Sequence, residues 1–135
     1  MRKLTISFVG RIPNYKNSRD IVQNRKTGRS FPLKSKQLKE VQERLKELAR
    51  EKMISLWSVE MLGRGVFFEL DITNFTGTWT SPDLDGIVST ILDSLQGVVF
   101  PDDRYCVHIN ANKVYKKDQP EMTYITIQEI TDNVD

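Results

Sequence analysis

Two pairs of aspartates carry the most concentrated chemistry in the sequence: Asp83 and Asp85 in SPDLDG, and Asp102 and Asp103 in FPDDR. Carboxylates brought close together repel, and their pKa values rise unless a cation sits among them. Ligands that are all oxygen select a hard divalent ion, Mg2+ or Mn2+, over softer metals. A metal clamp without histidine, opposite a basic surface, suits phosphodiester hydrolysis better than other reactions. Asp83 alone has a plainer explanation, because Asp is favoured at a helix N-cap and early acids suit the helix dipole. Capping explains Asp85 and the later pair less well. D-x-D is common by chance, and the following Asp-Asp raises its weight.

Other catalytic devices lack parts. The chain has one histidine, His108, and one cysteine, Cys106. No G-x-S-x-G surrounds a serine, and one Cys with one His cannot supply a zinc tetrahedron. Neither GxxxxGK[ST] nor GxGxxG is present, so nucleotide binding by those loops is unsupported. A D-x-D sugar transferase needs a larger nucleotide domain than 135 residues provide. A single cysteine excludes an internal disulfide and suits a reducing compartment. The apolar stretch at the N-terminus is too short and polar for a signal peptide, and no run approaches the ~18 apolar residues of a membrane span. The expectation is a cytoplasmic protein without a membrane partner.

The net charge of +2 conceals an asymmetry. Residues 1–57 hold fifteen Lys/Arg and five Asp/Glu, and residues 58–135 hold five and thirteen. The two halves can attract each other across a folded surface. Alternatively they divide labour, the basic half holding a polyanion and the acidic half a cation.

The elements that position these residues follow from periodicity. Leu4, Ile6 and Phe8 alternate with polar neighbours as a half-buried strand, ended by Gly10 and Pro13. Residues 11–33 show no periodicity and read as a basic, mobile loop containing Lys16, Arg19, Arg25, Lys26 and Arg29. Ser35 can cap a helix whose stripe is Leu38, Val41, Leu45, Leu48, Ala49, Met53 and Leu56, with Trp57 as core. Val66, Phe68, Leu70 and Ile72 share one strand face before FTGTWTSP breaks the pattern. A second helix runs from about Asp83 to Gln96, with Leu84, Ile87, Val88, Ile91 and Leu95 on one face. Tyr105–Tyr115 reads as a strand with Val107, Ile109 and Ala111 on one side and Cys106, His108 and Asn110 on the other. After KKDQP, Tyr124–Ile130 is the last strand. The order β-α-β-α-β-β predicts one α/β (α+β) domain over residues 1–135, with a mixed four- to five-stranded sheet and two main helices. The second helix is ~20 Å long, and the seven residues from Gly97 to Asp103 can span ~23 Å extended. That length permits Asp103 to return to the helix start.

SPDLDGIVSTILDSLQGVVFPDDRYCVHINANK resembles the RusA-like Holliday-junction resolvases, small phage and prophage endonucleases. Their D-x-D-N, helical L-D-x-L, D-D pair and strand-borne Lys fall in the order of Asp83-Leu84-Asp85, Leu92-Asp93-Ser94-Leu95, Asp102-Asp103 and Lys113. SFVGRIP and KNSR fit the family's first strand and basic loop. The resemblance implies a Mg2+-dependent homodimer (Mn2+ as a substitute) that cuts four-way DNA junctions in recombination and repair. It implies catalytic and metal-binding roles for Asp83, Asp85 and Asp103, with Asp102 beside them in the metal set. Lys16, Arg19, Arg25, Lys26 and Lys113 are the expected DNA contacts. Trp79 either packs beneath the site or stacks on an unpaired base. Asp93 lies ~15 Å along the helix from Asp83 and reads as structural. Two positions depart from the family pattern. Its Asn after D-x-D is Gly86 here, and its lysine one turn later is Ser89, which cannot supply a cation to a developing charge. Either Lys113 or Lys16 replaces that lysine, or the chain is a RusA-like module that grips branched DNA or a replication partner without efficient cutting.

Overall fold

Alternation in the first strand, β1 (Lys3–Val9), buries Leu4, Ile6 and Phe8 and exposes the residues between them. A computed structural model describes residues 2–14, 19–23, 30–34, 36–57, 61–80 and 82–130, of which 19–23, 30–34 and 57 are described by their backbone alone. The basic segment after β1 contains a feature the sequence pattern did not announce. β2 (Arg19–Gln23) and β3 (Ser30–Lys34) pair antiparallel as a separate two-stranded sheet. Short strands of mixed polarity show no clean period of two, so a hairpin there reads as loop. Lys16, Arg25 and Lys26 lie outside the described residues, and Arg19 opens β2.

The helix α1 (Lys36–Trp57) buries Leu38, Leu45, Ala49 and Met53, while Leu56 is exposed. Its outer face is laced by Arg44–Glu47 and Lys46–Glu43 ion pairs and so is mixed rather than uniformly cationic. β4 (Phe68–Thr76), α2 (Leu84–Leu95) and β5 (Cys106–Tyr115) form a parallel crossover, and β6 (Met122–Glu129) closes the chain. A short 3-10 turn, Asp103–Tyr105, leads into β5. The main sheet has the order β1-β6-β4-β5, with β6 antiparallel to both neighbours. It is therefore a mixed sheet in a single α+β domain. Both helices pack against the sheet's core-facing side, and Leu70, Ile72, Ile87, Ile91, Leu95, Ile125 and Ile127 meet in that core. Each such side chain contributes roughly 1.5–3 kcal/mol on burial.

β5 departs from the expected alternation. Phe68 pairs with Cys106, whereas Leu70 pairs with Ile109, so β5 spends one more residue than β4 over this stretch. This bulge places Cys106, Ile109, Ala111 and Lys113 toward the helices, rather than Cys106 opposite Ile109. Sequence alternation could not reveal the extra residue, because a bulge shifts phase without changing composition.

Candidate active site

β4 and β5 run parallel, and α2 starts after their carboxyl ends. In open α/β sheets that edge is where ligands bind. Asp83 is the N-cap residue of α2, with extended backbone, yet its side chain makes no capping hydrogen bond. Helix capping therefore does not account for it. Asp85 lies in the first turn, and its carboxylate accepts the Gly86 N–H at 2.9 Å. Both aspartates are exposed.

Three groups converge on this helix start from elsewhere in the chain. Lys113, near the end of β5, donates its ammonium to the Pro82 carbonyl, immediately before Asp83. Thr90 Oγ1 donates to the Pro13 carbonyl at 2.6 Å, tying the segment after β1 to α2. Asn14 follows in that segment, and a Cβ added at Gly86 would overlap its side chain. Gly86 is thus required by close approach, and an amide from another element fills the space beside it. Ser89 Oγ is engaged with the Asp85 carbonyl at 3.0 Å.

Beneath the helix start the sheet changes character. The core positions of β4 pass from Leu70 and Ile72 to Asn74 and Thr76, both buried. Asn74 Nδ2 donates to Thr123 Oγ1 at 2.8 Å, and Thr76 Oγ1 to Glu121 Oε1 at 3.3 Å. Arg11 Nε stands 4.0 Å from the same Glu121 oxygen. Asn74 Oδ1 and Glu121 Oε2 are buried without hydrogen-bond partners, which packing alone would not favour. The reading from sequence missed Asn14, Asn74, Thr76 and Glu121. A signal existed for two of them: Asn74 and Thr76 continue the apolar phase of Leu70 and Ile72 with polar side chains.

Trp79 lies in the loop between β4 and α2 and is 80% exposed, so it does not pack beneath the site. Its indole stacks on Tyr115 at the end of β5, with ring centroids 4.2 Å apart and planes 17° from parallel. Lys116 and Lys117 follow directly in the turn after β5.

The second acidic pair is elsewhere. Asp103 donates its backbone N–H to Gln96 Oε1 at 2.9 Å, and Gln96 is the C-cap of α2. Asp102 caps the 3-10 turn by accepting the Arg104 N–H at 2.9 Å, and stands 3.7 Å from Arg104 Nε. The connection after α2 therefore does not carry Asp103 back to the helix start. It ends at the opposite pole of α2, ~18 Å along a helix of twelve residues. Among the described residues no group of three or more His, Cys, Asp or Glu side chains could hold a metal. Asp83 and Asp85 still fit Mg2+, which is commonly held by one or two carboxylates plus water and substrate phosphate.

Asp93 accepts from Gln42 Nε2 of α1 at 2.6 Å and links the two helices, in accord with a structural role. Burial pushes the Cys106 thiol above its ordinary pKa, which leaves little thiolate for nucleophilic chemistry. His108 is exposed on β5. No described helix is long and apolar enough to cross a membrane.

A family profile described as endodeoxyribonuclease RusA matches residues 13–128, most of the chain. No curated protein matches it.

Proposed function

Because the chain belongs to the RusA endodeoxyribonuclease family, we propose that it is a metal-dependent, structure-selective endonuclease that hydrolyses phosphodiester bonds at four-way DNA junctions and acts as a homodimer. One observation carries this reading. At the start of α2, Asp83 stands in the cap position without capping, while Lys113 is anchored to the adjoining carbonyl. A carboxylate pair thus sits beside a cation supplied by a different strand.

Asp83 and Asp85 would hold Mg2+ or Mn2+, which when bound activates water and neutralises phosphate charge. Asp103 belongs to the same carboxylate set by the family resemblance, with Asp102 committed in part to Arg104. Lys113 stabilises charge developing on the phosphate or leaving oxygen, the task that Ser89 cannot perform. Asn14, against Gly86, stands where the family's amide side chain would otherwise project. Lys16, Arg19, Arg25 and Lys26 hold backbone phosphates. Trp79, backed by Tyr115, offers a π-face to an unpaired base at a branch point.

The second reading, a module that binds branched DNA or a replication partner without cutting, has its own observation: the Ser89 hydroxyl is spent on its own helix. Purified protein incubated with a synthetic four-way junction and with matched duplex separates the two. Nicking of the junction in Mg2+ or Mn2+, and none in EDTA, is expected. Tight junction binding without nicking in any divalent metal would select the module instead.

A further inference from the structure

Where β1 ends, a cation is held between two anchors of the chain. Gly10, at φ +115°, turns the backbone out of the strand, and its N–H donates to the Glu121 carbonyl at 2.9 Å. L side chains rarely adopt that angle, so a glycine is what lets the next residues leave the sheet for α2. Ile12 is then fully buried, the Pro13 carbonyl accepts from Thr90, and Asn14 packs against Gly86. Arg11 lies between these anchors, three residues before Asn14, a reach of at most ~11 Å. Gly86 adjoins Asp85, so Arg11 stands beside the carboxylate pair. β1 and β5 are opposite edges of the main sheet, and Lys113 reaches the same helix start from the other edge.

The companion of Arg11 is a buried acid. Glu121 continues the phase of Thr123, Ile125 and Ile127 on the core-facing side of the sheet, and its side chain is only 12% exposed. Burying a carboxylate is costly unless its oxygens are paired. Oε1 takes the Thr76 hydroxyl and stands 4.0 Å from Arg11 Nε, while Oε2 has no partner. A pair built for stability would seat the guanidinium fork on both oxygens. Arg11 instead is 44% exposed and makes no hydrogen bond among the described residues. Its N–H donors are open to a ligand from solvent, and a planar fork of donors matches a phosphate. We propose that Arg11 forms a phosphate subsite that holds the DNA backbone beside the scissile bond, with Glu121 as the positioning residue that directs its guanidinium. The link to cutting rests on the nuclease reading above, whereas the hold on phosphate is argued from Arg11 itself. Glu121 sets the direction of the fork without occupying its donors, so an arriving phosphate meets a cation already oriented.

Junction affinity measured in EDTA across a salt series tests the subsite without reference to cutting. Each phosphate neutralised contributes about −0.9 to the log–log slope, so Arg11→Ala should flatten it by about one unit. The same variant should weaken binding by about 10-fold at moderate salt, the loss of one charged hydrogen-bonding group. Arg11→Lys should keep the slope, because an ammonium still neutralises a phosphate. An unchanged slope and affinity in Arg11→Ala overturns the subsite. Single-turnover nicking of bound junction in Mg2+ tests the positioning. Glu121→Gln, which keeps the side chain's shape, should slow nicking by about 10-fold with the salt slope unchanged. Added to Arg11→Ala it should have no further effect, since no guanidinium remains to be directed. If the two losses instead multiply, Glu121 acts independently of Arg11 and the positioning role is overturned, with the nuclease reading left standing. A wild type that does not cut overturns the nuclease reading and with it the role of Glu121, while the salt slope still decides whether Arg11 holds phosphate.

Discussion

The two ends of the β4–α2–β5 unit use charged side chains in opposite ways. At the end where β4 and β5 begin, charges are committed locally. Asp102 caps a turn and faces Arg104, and Glu129 accepts from the Arg2 N–H at 3.1 Å and from its guanidinium at 3.2 Å. At the end where those strands finish, Asp83 sits at a helix cap without capping, and two acceptor oxygens are buried unpartnered. Local satisfaction is what stability alone would produce, and its failure among the described residues where the strands finish is the ground for proposing the site there. Asp103 is the exception, an exposed acid at the committed end.

The sharpest way to break this contrast is to neutralise the open end. Asp83→Asn or Asp85→Asn should lower the single-turnover nicking rate by about 10³ or more, with junction binding intact or tighter because repulsion from phosphate is removed. Asp93→Asn should be far milder. Wild-type rates in the first two would remove the site from this end altogether. Next in size is the cation. Lys113→Ala should slow nicking by about 10²–10³, the value of one preorganised group, while Ser89→Lys changes little. If Ser89→Lys accelerates cutting and Lys113→Ala does not slow it, Lys113 is not the cation of the site. Trp79→Ala should weaken junction binding by roughly 10-fold, in line with ~1–3 kcal/mol per stacked base, and leave duplex affinity unchanged. Equal losses on both substrates would make the indole a general contact.

The smallest effect belongs to the committed end. Hydrogen bonds from the Arg2 backbone and guanidinium hold the Glu129 carboxyl below its ordinary pKa. Because the folded state lowers that pKa, the contribution is present above the unfolded value and disappears as pH falls through the folded one. Glu129→Gln should therefore cost less than about 1 kcal/mol at neutral pH and nothing in acid, as urea titrations at both pH values would show. Nicking should be unchanged.

Much of this was legible before the structure. The alternation of Leu4, Ile6 and Phe8 and the stripe Ile87, Ile91, Leu95 are burial patterns, and burial is what periodicity reports. The D-x-D and D-D pairs were legible as chemistry. Their relative placement was not, because chain length bounds how far a connection can reach without saying where it goes. Asn14 was invisible for a related reason. Its partner Gly86 is 72 residues away, and a glycine in sequence does not reveal what approaches it. Trp79 resisted because an indole in a loop is as compatible with packing as with exposure, and only Tyr115 at its back decides the matter.

The extra residue in β5 has a consequence well beyond its own turn of backbone. A strand is a parity counter, with odd positions on one side and even positions on the other, and a single insertion reverses the count for everything downstream. From Cys106, plain alternation would send Lys113 to the open side of the sheet. The bulge near Val107 returns it to the side of α2, some six residues later, where it meets Pro82. The cation of the proposed site is thus addressed from the far end of the strand. A deletion of one residue there would misdirect it, with every active-site side chain left in the sequence.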